Sequence, residues 1–207
     1  GYLDSLAGVY YLDQVPYSGP VIKQLEIGLL TGEFKAGLKH GIWQTLNKIG
    51  QPIMIGHFKE GKKHGQWTEW YDNEHIKSHG EYNLGTMIGH WTFYYTNGIK
   101  EKEGSLVDGN ADGLWVFYDD KSKKAQEGSF SNGTKEGQWT AWFEDGRLSE
   151  GYYANGKKDA TWTSWWDYER TKKEMQGNYK NGKMVDKWFF YDKNGNLKEI
   201  RYFSPNF

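Results

Sequence analysis

The sequence predicts an all-β protein, an elongated single-sheet array of tandem antiparallel β-hairpins built from about seven copies of a unit of ~24 residues. Three observations carry this prediction. A Trp recurs at Trp43, Trp67, Trp91, Trp115, Trp139, Trp162 and Trp188, in steps of 24, 24, 24, 24, 23 and 26 residues. A second column, glycine–any–aromatic, runs in phase with it and ends on Phe34, Phe58, Tyr82, Phe130, Tyr153 and Tyr179, with Leu106 as its one aliphatic member. Turn dipeptides punctuate the repeat: Asp108-Gly109, Asn132-Gly133, Asn155-Gly156 and Asn181-Gly182. Both residue types tolerate positive φ, which tight hairpin turns require.

Taken in order, residues 1–31 are the least regular and predict N-terminal cap strands. Gly8–Tyr11 and Leu25–Leu30 have strand character, around a turn at Pro16–Pro20. Such a cap would pair the first edge of the array, which otherwise presents unsatisfied backbone groups. Residues 32–192 are the repeats themselves: a strand bearing glycine–any–aromatic, a turn with Gly three residues past the aromatic, a strand headed by Trp, and a second turn such as Asn97-Gly98 or Asp145-Gly146. Residues 193–207 predict a C-terminal cap strand over Leu197–Phe203, with Pro205 placed to stop further pairing. The best helical candidate, Tyr168–Met175, lies in the 26-residue step and is read as a longer charged hairpin loop.

Composition agrees with a thin sheet. Hydrophobic residues are only 37% of the chain, which is poor for a thick two-layer core, but 11 Trp and 15 Tyr supply apolar area. Each buried aromatic hides roughly 150–250 Å². The net charge is −1 with Lys and Arg spread along the chain, so no basic patch points to nucleic acid. No run of 18 apolar residues predicts a transmembrane segment. The absence of Cys excludes disulfides and thiolate metal sites. The chain starts at Gly1, which leaves two expected locations, cytoplasmic, or secreted or cell-surface with a leader removed.

Two aromatic columns are candidates for function or for packing. The Trp column and the glycine–any–aromatic column are expected to be the structural repeat core, stacking between neighbouring hairpins. The residue three beyond each Trp should lie on the opposite face, because strand side chains alternate. That column is Trp70, Tyr94, Tyr118, Trp142, Trp165 and Tyr191. A single-layer sheet leaves it two fates: coiling buries it, or it is an exposed stripe that binds a partner. Trp142 and Trp165, flanked by Phe143 and Trp166, form its most aromatic stretch.

No metal site, cofactor or catalytic site is expected. His40 and His64 occupy the same position in adjacent repeats, about 10 Å apart across two strand spacings, too far for one zinc. Asp112, Glu136 and Asp159 share that position and read as solvated turn acids. The chain has no nucleophile elbow, phosphate-cradling loop or zinc-protease motif. The formal sequon Asn132-Gly133-Thr134 sits where geometry already demands Asn-Gly.

The pattern resembles the MORN-repeat family, and most closely its bacterial variant. GNYKNGK at 177–183, GYYANGK at 151–157 and GKKHGQW at 61–67 carry the resemblance, which covers roughly residues 31–192. The chain departs from the pattern at Asn73-Glu74, Asp119–Lys123 and Asp159-Ala160, where turn glycines are lost; differently shaped turns are expected there. The resemblance implies a non-enzymatic protein-binding module of the antitoxin or immunity type, whose partner is another protein such as a toxin. The alternative is a secreted or surface-exposed adhesion module that recognises a glycan or host surface through the aromatic stripe. The oligomeric state is left open.

Overall fold

A computed structural model describes residues 4–204, and Pro205 lies outside them. Among the described residues there is no helix. Asp4–Leu6, Val9–Leu12 and Val15–Pro16 form a small three-stranded sheet. From Gly19–Leu25 to Leu197–Phe203, every strand pairs antiparallel with the next in chain order, giving one sixteen-stranded sheet of tandem hairpins. The described residues divide into two compact units, one up to Glu101 with Leu106–Gly109, the other Lys102–Ser105 with the residues from Asn110 onward.

In the first unit, the small sheet docks on the first long hairpin. The Tyr10 ring lies 4.5 Å from Phe34, and the Gly37 and Tyr10 backbones are joined by a 2.8 Å hydrogen bond. One expectation is corrected here. Leu25–Leu30 is not a single strand: the chain reverses at Glu26-Ile27, and Leu25 pairs with Gly28. Gly28 permits this because it holds φ at +148°, with the Leu46 carbonyl oxygen 2.0 Å from where a Cβ would stand. The boundary placed between 31 and 32 falls within the strand Gly28–Lys35.

Each repeat uses two kinds of turn. The two-residue turns have positive φ at both positions, as at Asn132 (46°) and Gly133 (78°), which matches the twist of the flanking strands. The five-residue turns share one hydrogen-bond pattern. At Tyr95–Ile99 the Tyr95 amide donates to the Ile99 carbonyl and Gly98 donates back to Tyr95. Tyr71–His75 and Asp119–Lys123 show the same two bonds, with Glu74 (φ 70°) and Ser122 (φ 69°) in the glycine position. The loss of turn glycine therefore does not reshape these turns; the residues present adopt the left-handed conformation instead. Ala160 likewise takes φ 55° at a bulge where other repeats have glycine.

The two irregular steps also acquire a structural meaning. In the pairing of Lys124–Ser131 with Asn110–Tyr118, Phe117 faces Gln126 and Tyr118 faces Lys124, so Ala125 is skipped, a β-bulge that recurs at the same place in other repeats. Leu148–Ala154 lacks it: Ala141 pairs with Ser149 and Trp142 with Leu148 in unbroken register. Omission of the bulge residue makes the 23-residue step. The 26-residue step comes from a seven-residue turn, closed by the bond from the Trp166 amide to the Lys172 carbonyl.

The core is the Trp column, with relative exposures of 1–5%. Each indole lies flat on the glycine across the ladder: at Gly128 a Cβ would stand 2.2 Å from Trp139 Cδ2. Gly128→Ala is expected to destabilise the protein by about 3 kcal/mol, because the clash is with a buried indole that has nowhere to move. Gly146→Ala, at φ 90° with open space around it, should cost only about 1–2 kcal/mol of backbone strain. Urea denaturation of the two variants separates these effects, and equal losses would show that the glycine column is not a steric requirement.

Candidate binding surface

Strand alternation gives the sheet two unlike faces. One holds the Trp column, the glycine–any–aromatic column and a set of lysines. Within the second unit, Trp115, Phe130, Trp139, Tyr153, Trp162, Tyr179 and Trp188 meet edge to face at 5.0–6.3 Å. Every repeat's indole Nε1 donates to the carbonyl one residue beyond the facing glycine, at 2.9–3.2 Å. Lys135 and Lys158 lie over the Trp139 and Trp162 rings at 3.7 and 3.9 Å. Burial lowers the pKa of both ammonium groups, and for Lys135 the charge of Lys158 adds to the effect.

The other face carries the column three residues beyond each Trp, and all six members are half-buried. In the first unit, Trp70 pairs with Ile76 at a strand end, and the Tyr94 ring stacks on His79 at 6.2 Å. In the second, Tyr118 Oη donates to Glu103 Oε1 at 2.9 Å, and the Tyr191 carbonyl accepts from Trp166 Nε1 at 3.4 Å. Trp142 and Trp165 come together around a residue that sequence reasoning missed. Leu148 pairs with both of them, one on each side, and is 0% exposed. The signal for Leu148 was the 23-residue step, since the absent bulge leaves this strand in unbroken register with Trp142.

The seven-residue turn borders this cluster. Arg170 Nε donates to Glu150 Oε2 at 2.9 Å, and Glu150 shares its face with Leu148. Tyr168 Oη donates to the Phe143 carbonyl. Asp167 organises the turn by accepting from the Thr171 amide (2.7 Å), Thr171 Oγ1 (2.8 Å) and the Lys172 amide (2.9 Å). The indole Nε1 of Trp165 is buried and has no hydrogen-bond partner among the described residues. On the strand of Leu148, the same face presents Tyr152 at 51% exposure.

Several candidate residues are placed differently from expectation. The acids at the His40 position are not simply solvated. Asp112 Oδ2 accepts from the Asn132 amide at 3.1 Å, and Glu136 Oε2 from the Asn155 amide at 2.9 Å, so each clasps the next hairpin turn. Asp159 accepts from Lys180 Nζ at 3.1 Å. His64 pairs across the strands with His57. Among the described residues no group of three or more His, Cys, Asp or Glu could hold a metal ion, and no helix is long and apolar enough to cross a membrane.

The arrangement is that of a tandem-hairpin scaffold, with a packed aromatic face and a second, half-exposed aromatic face. The family model described as "MORN repeat variant" matches residues 63–84, 87–108 and 187–204, so the chain carries MORN-type repeats at these places, consistent with a MORN-repeat family. Repeats of this kind commonly serve as protein- or membrane-binding modules, which agrees with a non-enzymatic binding role. No curated protein matches the chain. Among solved structures, the crystal structure of the GtfA/B complex bound to UDP and GlcNAc aligns at 10% identity and a TM-score of 0.21. That alignment covers 73% of this chain and 28% of that one.

Hydrogen bonds from backbone amides hold the Asp167 carboxyl below its ordinary pKa. A carboxylate depressed in this way contributes order above the pKa of a free aspartate, about 3.9, and loses it as pH falls through the lower folded value. The Thr171 amide resonance should therefore titrate with a midpoint below ~3.9 and be insensitive to pH between 5 and 8. In Asp167→Asn that titration should vanish; a midpoint at or above 3.9 in the wild type would contradict the assignment.

Proposed function

We propose that the protein is a non-catalytic module that binds another protein through the sheet face bearing Trp70, Tyr94, Tyr118, Trp142, Trp165 and Tyr191, with its centre at Trp142 and Trp165. One observation carries this reading. Around the buried Leu148, the face keeps two large indoles half-exposed and adds an exposed Tyr152, although the opposite face already supplies the core. Interface hot spots favour Trp and Tyr near the centre of a patch with a polar rim, and Arg170, Glu150 and Lys173 supply such a rim. An antitoxin- or immunity-like role, with a toxin as the partner, follows from the resemblance to antitoxin-like repeat proteins.

A glycan is the competing ligand, because aromatic faces also stack on sugar rings. The two separate in one set of measurements. Partner proteins captured from the native cell extract would be purified, and their affinity measured against wild type, Tyr152→Ser and Trp165→Ser. Truncation at a hot spot costs about 2 kcal/mol or more, a loss of roughly 30-fold in affinity. We expect that loss for Trp165→Ser and a smaller one for Tyr152→Ser, with circular dichroism confirming that both variants remain folded. Unchanged affinity in folded variants, or saturable binding to a glycan panel with no protein partner, would overturn the reading.

A further inference from the structure

The face with the Trp column contains a hollow of about 190 Å³ in the second unit. Its floor is Ala141 and Ser149, its walls are Trp139 and Trp162, and its rim is Lys135, Lys158 and Tyr153. The hollow exists because the residue two beyond each Trp is small here. That position is Phe93, Phe117 and Phe190 in three other repeats, but Ala141 and Ser164 in these two. The Lys135 ammonium lies over the Trp139 and Tyr153 rings and donates to Gln126 Oε1 at 3.3 Å, and the Lys158 ammonium lies over ring faces; neither has an ion pair among the described residues. Two half-desolvated cations, two strands apart, therefore border one cavity.

The second repeat shows what completes such a site. There the equivalent residues are Lys63, Trp67, Ser78 and Tyr82, and the position of Ala141 is occupied by Glu69. Lys63 lies over the Trp67 ring at 4.1 Å, as Lys135 lies over Trp139 at 3.7 Å. Glu69 brings a carboxylate oxygen to 3.5 Å from Lys63 Nζ. The chain thus carries the Lys–Trp–Ser–Tyr set twice, once with a carboxylate built in and Met87 at the next rim position, and once with a methyl group in place of the carboxylate and Lys158 at that rim position.

We infer that the hollow between Lys135 and Lys158 binds a carboxylate carried on a short aliphatic arm, which takes the place that Glu69 fills in the second repeat. The arm rests on the Ala141 methyl and the Trp139 ring while the carboxylate accepts from the Lys135 ammonium, as Glu69 does from Lys63, and Lys158 adds positive charge from the opposite rim. Such charge-assisted bonds are stronger than neutral ones because the site is partly desolvated. A cavity of about 190 Å³ holds about six waters by liquid volume, room for an acid of five or six non-hydrogen atoms but not for a nucleotide. The source is either a free short-chain acid or a glutamate side chain of another chain. The site does not depend on the opposite face acting as a protein interface.

The test is a titration of ¹⁵N-indole resonances in the full chain, with butyrate, with acetyl-Gly-Glu-Gly-amide, and with chloride at matched ionic strength. Trp139 and Trp162 should shift saturably with one or both carboxylates and not with chloride. Response to butyrate identifies the free acid as a ligand; response to the tripeptide alone identifies a glutamate side chain. Lys135→Met/Lys158→Met should abolish the saturable shift while the protein stays folded, because Met87 and Met184 occupy this position in other repeats. Ala141→Glu should place Trp139 near its ligand-shifted frequency without added acid, and raise the melting temperature. Shifts that follow chloride equally, no saturable shift with either carboxylate, or an unchanged titration in the double Met variant would overturn the proposal.

Discussion

The structure depends on one contact repeated along the chain, an indole laid flat on a glycine across the ladder. With no Cβ on the glycine, the ring settles against the backbone, and its Nε1 reaches the carbonyl one residue further on. The contact does two things at once. It buries most of the largest side chain available, and it satisfies the only polar atom that side chain has. Glycine normally weakens a strand through its backbone entropy and missing side chain. Here the neighbouring Trp occupies the vacated volume, so the weakness becomes the socket for the strongest apolar contact in the repeat.

This lock explains how a sheet with few aliphatics can be stable. The rings of successive repeats meet edge to face, an arrangement worth roughly 0.5–1.5 kcal/mol per pair beyond area burial. Lysine stems cover the row and place ammonium groups over the indoles, sealing it without a second layer. Leu106 keeps its place in the column because an aliphatic side chain can still be buried there, at 8% exposure. The acids Asp112 and Glu136 add a second, polar stitch by holding the turn of the following hairpin.

Because one face supplies the core, the other is free to vary, and local departures from the repeat accumulate beside each other in the second unit. The missing bulge at Leu148, the seven-residue turn at Trp166–Lys172 and the small residues Ala141 and Ser164 all lie within two adjacent repeats. On one face they gather Trp142 and Trp165 around Leu148; on the other they open the lysine-rimmed hollow. Repeat proteins tolerate this kind of change because each unit interacts mainly with its neighbours, so a local insertion or deletion need not disturb distant copies.

The sequence by itself determined the repeat, the hairpins and the phase of the Trp column that the structure buries. These follow from local rules: period-two alternation, positive-φ dipeptides and the fixed spacing of Trp and glycine. It also placed Trp142 and Trp165 opposite the Trp column by parity alone. Tertiary structure decided the remainder. It showed that Glu74 and Ser122 keep the five-residue turn without glycine, since neighbouring hydrogen bonds impose the left-handed conformation on them. It turned the Leu25–Leu30 strand into a hairpin, because only the packed chain reveals the carbonyl crowding Gly28. Leu148, the Arg170–Glu150 pair and the equivalence of Ala141 with Glu69 depend on which residues become neighbours across strands. That information lies in register, and register in this chain is set by single-residue bulges that a spacing count reports only as a step of 23 rather than 24.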